Sequence, residues 1–261
     1  MRLFRLVWTF LRIAIANELQ YRANFFLQVI QSVTALVVGL VGLKLVFSQT
    51  ADLRGWTPPE LLVVLGVYIL MGGVIHAYIQ PNMLRLMYEI QEGSLDFALT
   101  KPVDGQLIIS LREFHFWSLV DVVLGFIVLA AALNMNNFQI GLGQGLAFAA
   151  ILFMGAVILY CFWLMVSASA FWLIRVGEIA ELFEGIYAAG RWPISIYPRW
   201  LRFGLTIIIP IAFAVTIPAE ALTNRLDAFS LLGTCAFTIL FVMLARLVWL
   251  LGIRNYSGAS A

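Results

Sequence analysis

The charged residues of this sequence are few, and five of them fall in one turn-rich segment. Charged residues make up 11% of the chain and hydrophobic residues 62%, yet MYEIQEGSLDFALTKPVDGQ (87–106) carries Glu89, Glu92, Asp96, Lys101 and Asp104. This segment holds no cysteine or histidine, the residue types that most often supply nucleophiles, proton transfer and metal ligation. Acids and a lysine around turn residues are instead suited to electrostatic docking with another protein.

Local signals within this segment predict a short exposed helix. Gly93 can end the preceding helical turn, Ser94 can cap a new helix, and Pro102 limits it at about residue 100. The helix would cover about 95–100 and present three apolar residues, Leu95, Phe97 and Leu99. Two spans can be joined by far fewer residues, so a docking function explains the segment, and a self-packed loop is the alternative.

Catalytic motifs are missing from the sequence. It contains no G-x-x-x-x-G-K-[ST] nucleotide loop, no G-x-S-x-G and no H-E-x-x-H, and its only histidines are His76 and His115. We therefore predict no catalytic residue, no metal site and no ATP hydrolysis by this chain. His76 lies within an apolar run, where it is a proton-relay candidate or, as we favour, a hydrogen-bond partner of a neighbouring helix.

The composition points to a membrane protein built from helices. A soluble fold of 261 residues could not cover this much apolar surface, whereas a bilayer accepts about 20 apolar residues per spanning helix. We predict an all-α integral membrane protein with six transmembrane helices in one domain. Five of the six spans are assigned to 25–47, 61–80, 114–133, 143–172 and 229–251. The lipid bilayer is thus a partner, and the net charge of +2 gives no reason to expect nucleic acid.

The N-terminus and the loops set the predicted orientation. Residues 1–22 place arginines and apolar side chains on opposite faces, which is typical of an amphipathic helix lying at the membrane interface. Basic residues elsewhere favour a cytoplasmic N-terminus, a cytoplasmic loop at 81–113 and a cytoplasmic C-terminus.

The remaining span lies within 175–227, and two assignments stay open. In one, 203–218 crosses the membrane although Pro210 and Pro218 interrupt its hydrogen bonding. In the other, about 178–198 crosses, and the proline-rich stretch is a re-entrant hairpin whose freed carbonyls are buried in protein or line a wet cavity.

Four acids are candidates for a substrate path through the membrane: Asp121, Glu178, Glu181 and Glu184. Charge is costly at that depth and often marks a transport route. The alternatives are that Asp121 reaches back to Arg112 or Gln20, and that the three glutamates form the solvated side of an interfacial helix.

Three stretches resemble the permease subunits of the ABC type-2 exporter family. NELQYRANFF (17–26) follows the amphipathic helix, and EIQEGSLDFALTKPV (89–103) is similar to the family's glutamate, Gly-Thr/Ser, acid, Leu, x-Pro pattern. RWPISIYPRWLRFGLTIIIPIAFAVTIPAEAL (191–222) resembles the proline-rich segment before the last span, in the branch that reads tyrosine-Pro, I-P-x-A-F and I-P-A. The likeness covers nearly the whole chain.

This resemblance implies a six-helix subunit of a prokaryotic cell membrane that pairs with a separate cytoplasmic ATPase. It implies a second permease, identical or related, and ATP and Mg used only by the ATPase. The segment 89–103 would hold the coupling helix that contacts the ATPase, and the proline-rich segment would be extracellular and re-entrant. The coupling residues would be Glu89, Glu92, Leu95, Asp96, Phe97, Leu99, Lys101 and Pro102. The rival expectation is a secondary transporter driven by an ion gradient, and the sequence does not identify a substrate.

Overall fold

The computed structural model describes residues 22–135, 141–173 and 178–256, and within these ranges helices are joined by short loops, with one isolated β-bridge between Leu53 and Trp56. The predicted interfacial helix lies, but for its last residue, outside them. The helices are α1 (Arg22–Phe47), α2 (Pro58–Gln91), α3 (Asp96–Leu99), α4 (Gly105–Ser110), α5 (Leu119–Met135), α6 (Leu142–Ala168), α7 (Glu178–Tyr187), α8 (Arg199–Ile208), α9 (Ala212–Leu222) and α10 (Ala228–Asn255).

Five of the described helices are long and apolar enough to cross a membrane: α1, α2, α5 with its preceding 3-10 turn, α6 and α10. The bent pair α8–α9 passes the same test only when its two helices are taken together, and the predicted all-α membrane fold is confirmed. The assigned spans 25–47, 114–133, 143–172 and 229–251 each fall on one of these helices to within a few residues.

Helix α2 forms the centre of the bundle. Thr57 caps its start, donating its backbone N–H to Glu60 Oε2 at 2.8 Å, and Pro58 occupies the first turn, where no N–H is needed. Two glycines allow α2 and α5 to approach closely: a Cβ on Gly73 would lie 2.7 Å from Val122 N, and one on Gly125 would lie 2.6 Å from Leu70.

Helix α2 also runs past the predicted span 61–80, as far as Gln91, through a π-helical turn at Ile75–Ile79. Pro81 follows this turn and cannot donate a hydrogen bond to the carbonyl of Ala77. The backbone N–H of His115 takes its place, at 2.8 Å from Ala77 O. The proline therefore opens a site on α2 where the chain entering α5 is attached.

The two ends of the bundle can be recognised by their contacts. At one end, here called the Trp56 end, Trp56 Nε1 donates to Ser195 Oγ at 3.0 Å and Arg225 Nη2 donates to Gly55 O at 2.6 Å. At the other, the Asp104 end, α10 closes against the loop that follows α2, through an ion pair between Arg246 and Asp104.

These contacts decide which part of 175–227 traverses the bundle. The chain leaves α6 at the Asp104 end, where Phe171 packs 6.1 Å from Trp249, and by Ser195 it has reached the Trp56 end. Residues 178–198 therefore run from one end of the described bundle to the other. This stretch is a short helix α7 followed by 3-10 turns, which explains why hydropathy alone does not identify it.

Helices α8 and α9 form a re-entrant hairpin with an 81° bend between them. Both ends lie at the Trp56 end, since Arg202 donates to Ser195 O at 2.7 Å and Arg225 bonds Gly55. The tip reaches the middle of the bundle, where Phe213 stacks on Phe237 with ring centroids 4.4 Å apart. Gly155 of α6 makes room, because a Cβ there would lie 2.5 Å from Phe213 O.

Candidate functional site

The segment after α2 is shaped by one glycine. Gly93 has φ +71°, a conformation that side-chain-bearing residues rarely adopt, and the next amide, Ser94 N, returns to Glu89 O at 3.0 Å. Only four residues therefore separate the end of α2 from the start of α3. The turn at Gly93 is as predicted, whereas the residue before α3 is Leu95, with no side-chain cap from Ser94.

Helix α3 exposes Phe97 and buries Leu95. Phe97 is 80% exposed, Leu95 is fully buried, and Leu99 is half-buried against the core. The prediction that all three are presented is therefore wrong for Leu95. Alternate residues do not share a helix face, whereas residues four apart do, so Leu95 and Leu99 turn inward together while Phe97 points away.

Glu89 is also buried, contrary to the expectation that it borders the docking surface. Its Oε1 accepts from Arg112 Nη1 at 2.6 Å and from Arg85 Nε at 3.0 Å, and Arg85 also pairs with Glu113. Asn82, which sequence reasoning missed, accepts the backbone N–H groups of residues 112 and 113. These contacts attach the end of the loop to α2.

The remaining predicted coupling residues lie at the surface around Phe97. Glu92, Lys101 and Pro102 are exposed and Asp96 is half-exposed. We call Glu92, Asp96, Phe97, Lys101 and Pro102 the loop surface. It combines one large apolar side chain with charges of both signs, a composition suited to protein docking.

Asp104 connects the loop surface to α10. Its carboxylate caps α4, accepting from Gln106 N at 2.9 Å, and it binds Arg246 Nη2 at 2.7 Å. The hydrogen bond from Arg246 holds the pKa of Asp104 below its usual value, because it favours the charged form. The sequence alone predicts no partner for Asp104. The signal that indicates one is Arg246, the single charged residue in the apolar last span 229–251.

A comparison with known families bears directly on this arrangement. A family model described as ABC-2 family transporter protein matches residues 33–260, well over half of the chain. The chain belongs to the ABC-2 transporter family. Searches of curated proteins and of solved structures each gave no match. The predicted family is confirmed, and the chain is a membrane component of an ABC transporter.

Within this ABC-2 transporter, the structure brings two of the four substrate-path candidates together. Asp121 on α5 accepts a hydrogen bond from Gln28 Nε2 of α1 at 3.1 Å. Glu184 on α7 bonds His76 Nε2 of α2 at 3.0 Å, and Asp121 is close enough to His76 to interact with it electrostatically. The four side chains form a polar cluster, here called the Asp121 cluster.

The other two candidates lie elsewhere. Glu178 and Glu181 are exposed on α7 and do not join the Asp121 cluster. The alternative that Asp121 reaches back to Arg112 is wrong, because Arg112 binds Glu89. The other alternative partner, Gln20, lies outside the described residues. His76 bonds a neighbouring helix, as we expected. Gln28 was missed, because pairing across helices depends on which helices are neighbours.

Proposed function

We propose that this ABC-2 transporter is the permease subunit of an ATP-driven exporter and that its loop surface docks a separate ATPase. The observation that supports this most is Phe97, a large apolar side chain 80% exposed on a four-residue helix beyond the end of α2. An apolar side chain held out among charges has the form of an anchor for a pocket in a partner protein.

The loop surface is connected to the bundle on two sides. On one side the buried Glu89–Arg112 pair joins α2 to the chain that enters α5. On the other, Asp104 binds Arg246 of α10, and Leu99 packs against Gly105. A displacement of Phe97 would therefore be passed to three long helices through short, charge-assisted contacts.

In this proposal the Asp104 end is cytoplasmic, and two permeases, identical or related, enclose the substrate path. ATP binding by the partner would shift the population of two arrangements of the bundle, with ATP and Mg confined to that partner. Because the Trp56 end is then external, Arg202 lies outside, where it donates to a backbone carbonyl. Arg191 lies deeper, 5.4 Å from the ring centre of Tyr68, and its neighbour Gly190 packs against Ile211 at the hairpin tip.

A photo-crosslinking experiment tests the docking. A benzophenone amino acid is placed at position 97 in native membranes, and at position 142 as the control, since Leu142 is 91% exposed and near the Trp56 end. Position 97 should cross-link to a subunit that carries a G-x-x-x-x-G-K-[ST] loop, and position 142 should not.

Phe97→Asp should abolish that association, whereas Leu142→Asp should leave it intact. Absence of such a subunit from the products at position 97, with substrate flux sustained by an ion gradient, would establish the secondary transporter instead.

A further inference from the structure

Two open cavities lie end to end along α1, and Gln28 and Gln31 line both. The first, of about 300 Å³, extends from Asn24 on α1 to His115. The second, of about 330 Å³, extends to His76 and Asp121 of the Asp121 cluster. Together they form a polar groove, here called the α1 groove, that leads inward from the chain entering α5.

The α1 groove carries negative charge. Asp121 lines it directly, and Glu184 stands behind His76 at 3.0 Å. With both carboxylates ionised, one net negative charge remains even when His76 is protonated. Neither cavity is lined by a lysine or an arginine among the described residues. Asp121 lies on a helix that can span the membrane, where a carboxylate is costly without a counter-charge, so a cation is the ligand that the groove favours.

The backbone beside the groove is unusual in a way that is independent of these charges. His76 lies in the π-helical turn Ile75–Ile79, and such single turns are rare and frequently occur at functional sites. The same turn precedes Pro81 and holds His115 N at Ala77 O. One irregular turn therefore positions His76 in one cavity and the backbone of His115 at the other.

Apolar side chains also border the groove along α1. Leu27 lines the first cavity and Ala35 the second, and Leu27 with its neighbours Phe26 and Ile30 is about 60% exposed on α1, the least buried of the long helices described. A ligand that pairs with Asp121 can thus keep an apolar body against α1 and the surrounding lipid. The groove fits an amphipathic molecule with a cationic head.

We propose that the α1 groove binds the protonated amine of an amphipathic organic amine. Asp121 accepts the ammonium hydrogen bonds, Gln28 orients the Asp121 carboxylate, and Glu184 acts through His76 as a positioning residue. That the bound amine is also the exported substrate rests on the proposed function.

Binding is tested on the complete chain in lipid nanodiscs, with no ATPase added. The probe is dansylcadaverine, a primary ammonium on an apolar fluorescent body, and its matched control is the N-acetylated probe, which is neutral. The amine should give a saturable rise in fluorescence, and the neutral probe should bind about tenfold more weakly or worse, the effect of losing one charge pair of about 1.4 kcal/mol.

Two variants sharpen the test. Asp121→Asn should weaken amine binding about tenfold, whereas Asp52→Asn, an exposed acid near the Trp56 end, should leave it unchanged. Gln28→Lys keeps Asp121 but supplies an ammonium of the chain's own, so it should abolish amine binding. If Asp121→Asn does not fold, Gln28→Lys decides the question.

Equal binding of the neutral probe, or wild-type affinity in both Asp121→Asn and Gln28→Lys, would overturn the groove proposal. The cross-linking at position 97 is independent of this result. Amine binding without an ATPase cross-link would overturn the proposed function alone, and a cross-link without amine binding would overturn the groove alone.

Discussion

Arg246 on the last helix and Asp104 in the first large loop bind each other at 2.7 Å, although 142 residues separate them in sequence. Arg246 Nη1 also donates to Gln106 Oε1 at 2.8 Å, so one guanidinium holds both the cap of α4 and its second residue. The loop surface is therefore attached to α10 and not only to the helices that flank it in sequence.

Arg246→Gln should loosen α4 from α10 without unfolding the bundle. Both side chains of the pair are over one-third exposed, and such pairs contribute about 0–1 kcal/mol to the free energy of unfolding. Backbone amides of 105–110 should exchange hydrogen faster in this variant, as measured by mass spectrometry. Arg254→Gln, an exposed arginine of the same helix, is the control; equal exchange in the two variants would contradict the attachment.

The same contact should depend on pH in a defined direction. Because the pKa of Asp104 is lowered in the folded protein, the pair stabilises the fold above the ordinary carboxyl pKa of about 3.9 and is lost as the pH falls through the lower folded-state pKa. The exchange difference between wild type and Arg246→Gln should persist from neutral pH to about 4 and vanish below it. A difference that vanished near pH 6 would show that another group titrates.

Leu95 and Phe97 should respond oppositely to truncation. Leu95→Ala removes a fully buried side chain and should lower the free energy of unfolding by about 2–5 kcal/mol. Phe97→Ala removes an exposed ring and should change it by about 0.5 kcal/mol or less. Unfolding of both variants in mixed micelles measures the difference, and similar losses would show that Phe97 is packed in the isolated chain.

Glu89 and Glu92 provide a second matched pair. Glu89→Ala leaves the Arg112 side chain, 9% exposed, without its carboxylate, and breaking a buried pair costs about 3–5 kcal/mol. Glu92→Ala, at an exposed position, should cost about 0.5 kcal/mol or less. The same unfolding measurement applies. If Glu92→Ala proved the more damaging substitution, the structural role assigned to Glu89 would be wrong.

The apolar runs predicted the long helices because a span of about 20 apolar residues is unambiguous in sequence. Apolar runs do not predict the extension of α2 beyond residue 80, because polar residues (Gln80, Asn82, Arg85, Glu89 and Gln91) end the continuous apolar run there. Its buried face nevertheless follows the helical spacing i, i+3, i+4, i+7 in Met83, Leu86, Met87 and Ile90. That spacing is the sequence signal that predicts a helix as far as Gln91.

The polar contacts were less accessible to sequence reasoning. Asp121 and His76 were recognised as polar residues inside spans, but their partners Gln28 and Glu184 come from helices whose neighbours the sequence does not specify. The prediction that Leu95 is exposed places alternate residues of α3 on one face. That spacing holds for a strand and not for a helix. The family resemblance points to the segment 89–103, but only the three-dimensional contacts show that Leu95 is buried and Phe97 is exposed.

The hairpin of α8 and α9 has a consequence for how this chain is assembled. Each arm is about ten residues long, too short to span a bilayer, and Pro210 and Pro218 leave carbonyls without helical donors. Lipid cannot satisfy those groups, so the hairpin has no stable position until α6 and α10 are already inserted to receive it. Biogenesis would then proceed in two stages, with the long helices threaded first and the hairpin settling against Gly155 and Phe237 only after the last helix has left the ribosome.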